Sequence, residues 1–331
     1  METTEEQMVR RTMVLAAFAA AVLGHPGAHA QATSQKPVYI VVPYGPGGLP
    51  DGLARVVGQK LAENTGQQVI IENKPGASGI IGAQYFLSKA TPDGHTLFLH
   101  DNNTYAINAA IYPNLAYNPL RDFAAVTQAI QGPMYLVVNP GAGVDSVQDL
   151  VAQAKANPGR INYGSPGNAT LHHLGMEQLA LMSGVKMTHI PYKGVAQATP
   201  GLLAGDVTAM FAALTSVTQH AKAGKLKILA VGSTQRSSLT PDIPTVAEAG
   251  YPGFEVAANM GFATHAGTPR TVIDRLNAEL VKVLKTPEVT ARIEGFGVKV
   301  VATSPDQFAT QINRDIESYM RLVKQTNLKV D

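Results

Sequence analysis

Few residues in this chain have the type and the company that chemistry requires. Asp51 follows the turn-rich stretch Tyr44-Gly45-Pro46-Gly47-Gly48-Leu49-Pro50. It is placed to be a general base or, more simply, an acid in the first turn of the helix that follows. Ser165, within Tyr163-Gly164-Ser165-Pro166-Gly167, has the outline of a nucleophile elbow. Pro166, however, lacks one N–H that an oxyanion hole would use. His172 and His173 open a predicted helix, where neighbouring side chains diverge by about 100° and chelate poorly. The 9 histidines show no HExxH or HxH spacing and there is no cysteine, so no metal site and no cofactor is expected. No catalytic set emerges either. What remains is a pair of Gly/Pro/Ser-rich loops that present backbone.

Backbone has a chemistry of its own. Val38–Val42 reads as a buried strand, and Leu53 to Leu61 has helical apolar spacing. Between them, glycines admit a ligand without a Cβ in the way, and the first helical turn offers unpaired donors at a positive dipole end. The loop is therefore an anion cradle, most simply for a carboxylate, with Tyr44, Gly47, Gly48, Leu49 and Asp51 as candidate contacts. No Lys-Ser or Lys-Thr follows the glycines and their spacing is not the dinucleotide one, so a nucleotide is disfavoured.

The same order recurs about 120 residues on. Strand Ile161–Tyr163 leads to Gly164–Thr170 and a helix from Leu171 to Met182, giving Ser165, Asn168, Ala169, Thr170 and His172 as the matching candidates. A third strand, Thr96–Leu99, ends in His100-Asp101-Asn102-Asn103-Thr104, a polar cluster at the strand end where such sheets display ligand groups. Asn103 and Thr104 join the set. Strands at 68–72, 134–138, 207–211 and 226–231 and helices at 80–89, 149–156, 270–284 and 305–324 complete an alternating α/β pattern. It suggests two similar lobes sharing one cleft.

The 331 residues suffice for two such domains, and 45% hydrophobic with 15% charged residues says globular. A net charge of +2 without a dense basic stripe gives no support for nucleic acid. Arg10-Arg11, the apolar run Met13–Leu23 and Ala28-His29-Ala30 have the order of a secretory signal over residues 1–30, with Met8 as an alternative start. Without cysteine the exported chain cannot be a lipoprotein, and no run approaches a membrane span. A soluble protein of the periplasm is expected, most simply a monomer.

Several motifs together carry a resemblance. They are Pro43 to Gly48 with Asp51, Glu72-Asn73-Lys74-Pro75-Gly76-Ala77, Pro92-Asp93-Gly94-His95-Thr96-Leu97, and Asn162 to Ser165 with Gly167 and His173-Leu174. To these add His189-Ile190-Pro191-Tyr192-Lys193-Gly194 and Asp242 to Gly250. In order and spacing, from about Lys36 onward, they resemble the Bug-type substrate-binding receptors of tripartite tricarboxylate transporters. That resemblance implies an α/β, two-lobed periplasmic-binding-protein fold of the Venus-flytrap, type II-like kind, with a mixed sheet in each lobe. Lobe 1 would span 36–135 and 259–331, lobe 2 136–258, with hinge crossovers near 133–138 and 255–262. It also implies two loops that grip a carboxylate through backbone N–H groups, hydroxyls and waters, and membrane components of the transporter as partners.

Three departures bear on the ligand. Leu49 and Pro50 stand where many members carry hydroxyls, Ala212-Ala213 where many carry Asp-Asn, and Ala169-Thr170-Leu171-His172 where the second loop is usually Ser-rich. The acid that would hold an ammonium group is missing. An aromatic or partly apolar mono- or dicarboxylate is therefore expected over citrate, malate or an amino acid. The competing readings are a secreted hydrolase using Ser165 or Asp51, and a sensor lobe presenting ligand to a kinase.

Overall fold

The apolar run Val38–Val42 forms strand β1 in the computed structural model, which describes residues 36–326 and Leu328. The leader expected over residues 1–30, Met8 included, lies outside the described residues. Helix α1, Leu49–Thr65, begins four residues before its apolar spacing does. Pro50 accounts for this, because a proline in the first turn removes an N–H that has no helical partner anyway. Strand β2 (Val69–Asn73), helix α2 (Ile80–Lys89) and strand β3 (Thr96–Asp101) follow, with β1 parallel to both strands. A π-helical stretch, Asn103–Ile107, then continues as α3, Asn108–Ile111.

Strand β4, Phe123–Val138, is 16 residues long and leads into a second α/β unit. This comprises α4 (Val147–Ala156), β5 (Asn162–Ser165), α5 (Leu171–Ser183), β6 (Thr188–Pro191), α6 (Val195–Ala204), β7 (Ala209–Ala213), α7 (Leu214–Lys222) and β8 (Lys227–Val231). The chain then returns through β9 (Ala257–His265) to α8 (Arg270–Leu284), α9 (Pro287–Glu294), β10 (Lys299–Val300) and α10 (Pro305–Thr326).

The strands run in the order β2-β1-β3-β9-β4-β7-β5-β6, with β8 and β10 also on β4. Two mixed sheets meet in β4. Its residues Phe123–Pro133 pair antiparallel with β9, and Met134–Val138 pair antiparallel with β7 and β8. The change of partners falls between Pro133 and Met134. Where β4 and β9 cross, Gly261 is obligatory, because a Cβ there would lie 2.3 Å from the Thr127 carbonyl oxygen.

Both faces of each sheet are covered. Val42, Leu53, Val57, Phe262 and Leu284 fill one face of the first, and Phe86, Phe98 and Phe123 the other. In the second, Tyr135, Met210 and Val217 fill one face, and Leu136, Leu174 and Phe211 the other. Apolar side chains of α10 (Phe308, Ile312, Tyr319) join that last cluster together with Tyr105 and Ile107. The C-terminal helix thus packs on both halves. Among the described residues no helix is long and apolar enough to cross a membrane.

Candidate functional site

The first loop is tied down by one carboxylate. Asp51 is 4% exposed, and its Oδ2 accepts from Gly47 N–H at 3.0 Å and Arg55 Nε at 2.9 Å. Its Oδ1 accepts from Asn73 Nδ2 at 2.9 Å, and the same amide nitrogen donates to the Tyr44 carbonyl at 3.0 Å. The Arg55 hydrogen bond, joined by those from Gly47 and Asn73, lowers the Asp51 pKa to about 2. Asp51 therefore shapes the loop from beneath, and its oxygens are occupied. Gly48, the N-cap of α1, has no side-chain cap, so the N–H groups of Leu49 and Asp51 are without helical partners. Leu49 itself leans on the first lobe's core.

Below this loop lies a second buried acid. Asp101 accepts the Tyr44 hydroxyl at one oxygen, and Thr104 N–H (3.0 Å) and Oγ1 (2.8 Å) at the other. Asn103 Nδ2 reaches the Tyr44 hydroxyl at 3.4 Å, and Thr104 Oγ1 also meets His100 Nδ1 at 3.0 Å. Burial pushes the Asp101 pKa up, and no cation pairs with it among the described residues. Thr104 is fully buried, so it supports Tyr44 through Asp101 and is itself out of a ligand's reach. His100 is also fully buried, and that burial lowers its pKa to about 3.

The second loop is likewise braced from within. Ser165 is fully buried; its Oγ lies 2.8 Å from the Gly167 carbonyl oxygen and 2.6 Å from His189 Nε2. Asn168 is exposed at the tip, and Ala169 has φ +57°. Thr170 caps α5, its Oγ1 accepting from His173 N–H at 3.4 Å and donating to the Gly167 carbonyl at 2.9 Å. Leu171 and His172 N–H are left at the helix start. His172 is half-buried, its Nδ1 has no partner among the described residues, and burial lowers its pKa to about 4.

One turn links the two halves near these helix starts. The Phe296 ring lies 3.0 Å from the Cβ position of Gly52 in α1, and the Cβ position of Gly297 is 3.0 Å from Thr215 Cγ2 in α7. The uncapped start of α7 follows directly on Ala213, which is half-buried at the end of β7. Ala212 points the other way, into the core with Met210 and Val217. The structure thus gathers Tyr44, Asn103, Thr104 and Asp51 into one network, and Ser165, Ala169 and Thr170 into another. Asn73, Arg55, Asp101, His173 and His189 hold these networks and carried no role in the sequence reading. Asn73, His173 and His189 lie within the family-like motifs, and Asp101 in the polar cluster at the end of β3.

A proton-transfer reading finds little here. If the Ser165 hydroxyl donates to Gly167, His189 Nε2 must carry the proton and is not free to act as base. Among the described residues no group of three His, Asp or Glu is placed to hold a metal ion. Backbone donors at helix starts, one half-buried imidazole and apolar or glycine surfaces suit capture of an anion.

Comparison with known proteins gives the same direction. Residues 53–328 match the model of the tripartite tricarboxylate transporter family receptor. BugT of Bordetella pertussis is 33% identical over 296 residues, covering 89% of this chain and 90% of BugT. A solved periplasmic transporter is similar at TM-score 0.77 and 33% identity, covering 91% of this chain and all of that one (100%). Rpa4515 of R. palustris, solved with adipate, is similar at TM-score 0.77 and 31% identity over 88% of this chain and 98% of its own. MatC from Rhodopseudomonas palustris, solved with malate, is similar at TM-score 0.73 and 28% identity over 87% and 98%.

Proposed function

The chain belongs to the tripartite tricarboxylate transporter receptor family, and from that premise we propose that it is a periplasmic receptor for a small, partly apolar carboxylate. Its two-lobed α/β form and its standing as a binding protein, with no catalytic role, follow from that membership. The ligand, the site residues, the hinge at β4 and β9, the monomeric state and the membrane partners belong to the proposal.

The observation that carries it is the state of the two candidate reactive groups. Asp51 and Ser165 are both engaged inside their own loops. The groups left for a ligand are then N–H donors of α1, α5 and α7, the Tyr44–Asn103 edge, and His172. None of them is a permanent cation, which suits one carboxylate, or two held well apart, better than the dense charge of citrate. Leu49, Pro50 and Ala213 add apolar surface, and burying it contributes roughly 25 cal/mol per Å². Adipate, with its long methylene segment, is bound by a relative and fits this description; malate, bound by another, is the counter-case.

Calorimetry of the chain from Gln31 onward against terephthalate, protocatechuate, adipate, citrate and glutamate tests the choice. Binding of a ring acid or adipate, with citrate and glutamate silent, is expected. Tight citrate or glutamate binding alone would overturn the ligand class. Scattering measured with the bound acid should show a smaller radius of gyration, since ligand bridging two lobes favours the closed form.

A further inference from the structure

The second loop rests on two imidazoles that make no other contribution to the proposed receptor. His173 of α5 and His189 of β6 lie face to face, ring centres 3.7 Å apart and planes 12° from parallel. His189 stacks in turn on Tyr163 of β5, with centres 5.0 Å apart. Each imidazole reaches the loop through one nitrogen. His173 Nδ1 accepts the Ala169 N–H at 3.1 Å, and His189 Nε2 is 2.6 Å from Ser165 Oγ.

The hydrogen bonds fix the proton of His173 and bear on that of His189. Because His173 Nδ1 accepts, its proton is on Nε2, which points at Glu177 Oε1 3.9 Å away. The same Glu177 oxygen accepts the Tyr163 hydroxyl. Ser165 Oγ is 2.8 Å from the Gly167 carbonyl oxygen, to which it donates, and it accepts from Gly167 N–H at 3.2 Å. With that hydroxyl donating to Gly167, a proton on His189 Nε2 completes its partners at 2.6 Å. Both rings are neutral: burial, helped for His173 by His189, lowers His173 to about 3 and His189 to about 4. The titratable groups facing the pair are Tyr163 from β5 and Glu177 from α5.

Each contact lands where the loop needs it. Ala169 is held at φ +57°, a conformation that is strained for an L-residue and persists only when surroundings enforce it. Its N–H bond to His173 is that enforcement. Ser165 anchors the other end of the turn. We propose that His173 and His189 are positioning residues of the carboxylate site, a neutral imidazole pair that sets Ser165 to Thr170 in the shape that presents the α5 N-terminus to ligand. The proposal rests on the receptor reading for its consequence in binding, but not for its geometry.

The test therefore has a ligand-free and a ligand-dependent arm. Nitrogen-15 spectra of the full chain at pH 7 should show both histidines as neutral Nε2–H tautomers, and hydrogen exchange should show a protected Ala169 amide. In His173→Asn, Oδ1 stands near the place of Nδ1, and protection should persist; in His173→Leu it should be lost. With adipate and terephthalate as probes, His173→Leu should bind about tenfold more weakly, the worth of one hydrogen bond in a preorganised loop. His173→Asn should stay within about threefold of the parent by the same reasoning. Melting temperatures of both variants separate a general loss of stability from a loss confined to the loop. An Nδ1–H tautomer at His173, or equal protection and affinity in His173→Leu, would overturn the proposal. If neither acid binds even the parent, the ligand assignment fails, while the spectra and exchange still decide the positioning role.

Discussion

Replacing Asp51 by Ala should loosen the first loop without touching the ligand. The carboxylate makes three hydrogen bonds, and their environments set their sizes. Arg55 is 54% exposed at its side chain, so its i,i+4 pair contributes about 0.3–0.5 kcal/mol. Gly47 is an exposed residue, so water can take the place of the lost acceptor, leaving about 1 kcal/mol for the bond itself. Asn73 keeps the Tyr44 carbonyl, so its amide is not orphaned and about 1 kcal/mol again is lost. An acid in the first turn adds about 0.5 kcal/mol through the helix dipole. The sum is about 3 kcal/mol, read by urea denaturation. Asn73→Ala shares one of these bonds, so the double variant should be less destabilised than the two singles combined, by about 1 kcal/mol. The Asp51 pKa lies below its unfolded value, at about 2. Its stabilisation is therefore complete above the ordinary carboxylate pKa and is lost as pH falls toward 2. Additive singles, or lost adipate affinity at unchanged stability, would refute the latch and make Asp51 a ligand contact.

Other perturbations probe the supports around the site. Asp101→Asn should hold or raise the melting temperature at pH 7, and lose that advantage near pH 4. The raised pKa means that wild-type Asp101 stabilises best when protonated, at low pH, and less as pH rises; a fall of several degrees at pH 7 would count against this. His100→Phe should gain on the parent by about 2 kcal/mol between pH 6.5 and pH 5, because a neutral buried His with a folded pKa of about 3 loses stability progressively below 6.5. A gap independent of pH would contradict the buried, neutral ring. Gly261→Ala should destabilise by about 3 kcal/mol or more, since the new methyl meets backbone, at 2.3 Å from Thr127 O and 2.8 Å from Gln128 Cα. A near-neutral urea midpoint would show that the crossing strands can part.

The lobes were legible because their strands are short apolar runs closed by turn residues. Helix α8 begins and ends where its apolar spacing does, at Arg270 and Leu284. The crossing strands were not legible. The first part of β4, Phe123 to Pro133, mixes Thr, Gln, Gly and Pro, and β9 carries Asn259 and Gly261. These residues answer to each other rather than to a periodic pattern: Gln128 Nε2 donates to Asn259 Oδ1 at 3.0 Å, and Gly261 yields room to Thr127. Helix α6 was hidden by Pro200 in its interior. In the site, sequence located both loops because glycine and proline announce them. It could not show that Asp51 and Ser165 face inward, since that depends on Asn73 and His189, 22 and 24 residues away.

The strand shared by both sheets has a bearing on how such a chain is inherited. With β4 feeding one sheet up to Pro133 and the other from Met134, no single cut can release a lobe with its edges paired, because a chain ended at Pro133 loses β9. A severed half would display raw strand edges, open to pairing with any neighbour. Exchange of the second unit takes two cuts, before Met134 and before Ala257, which keep β9 with the first half of β4. A chimera joined at Pro133 should aggregate unless its β9 comes from the same parent as the first half of its β4.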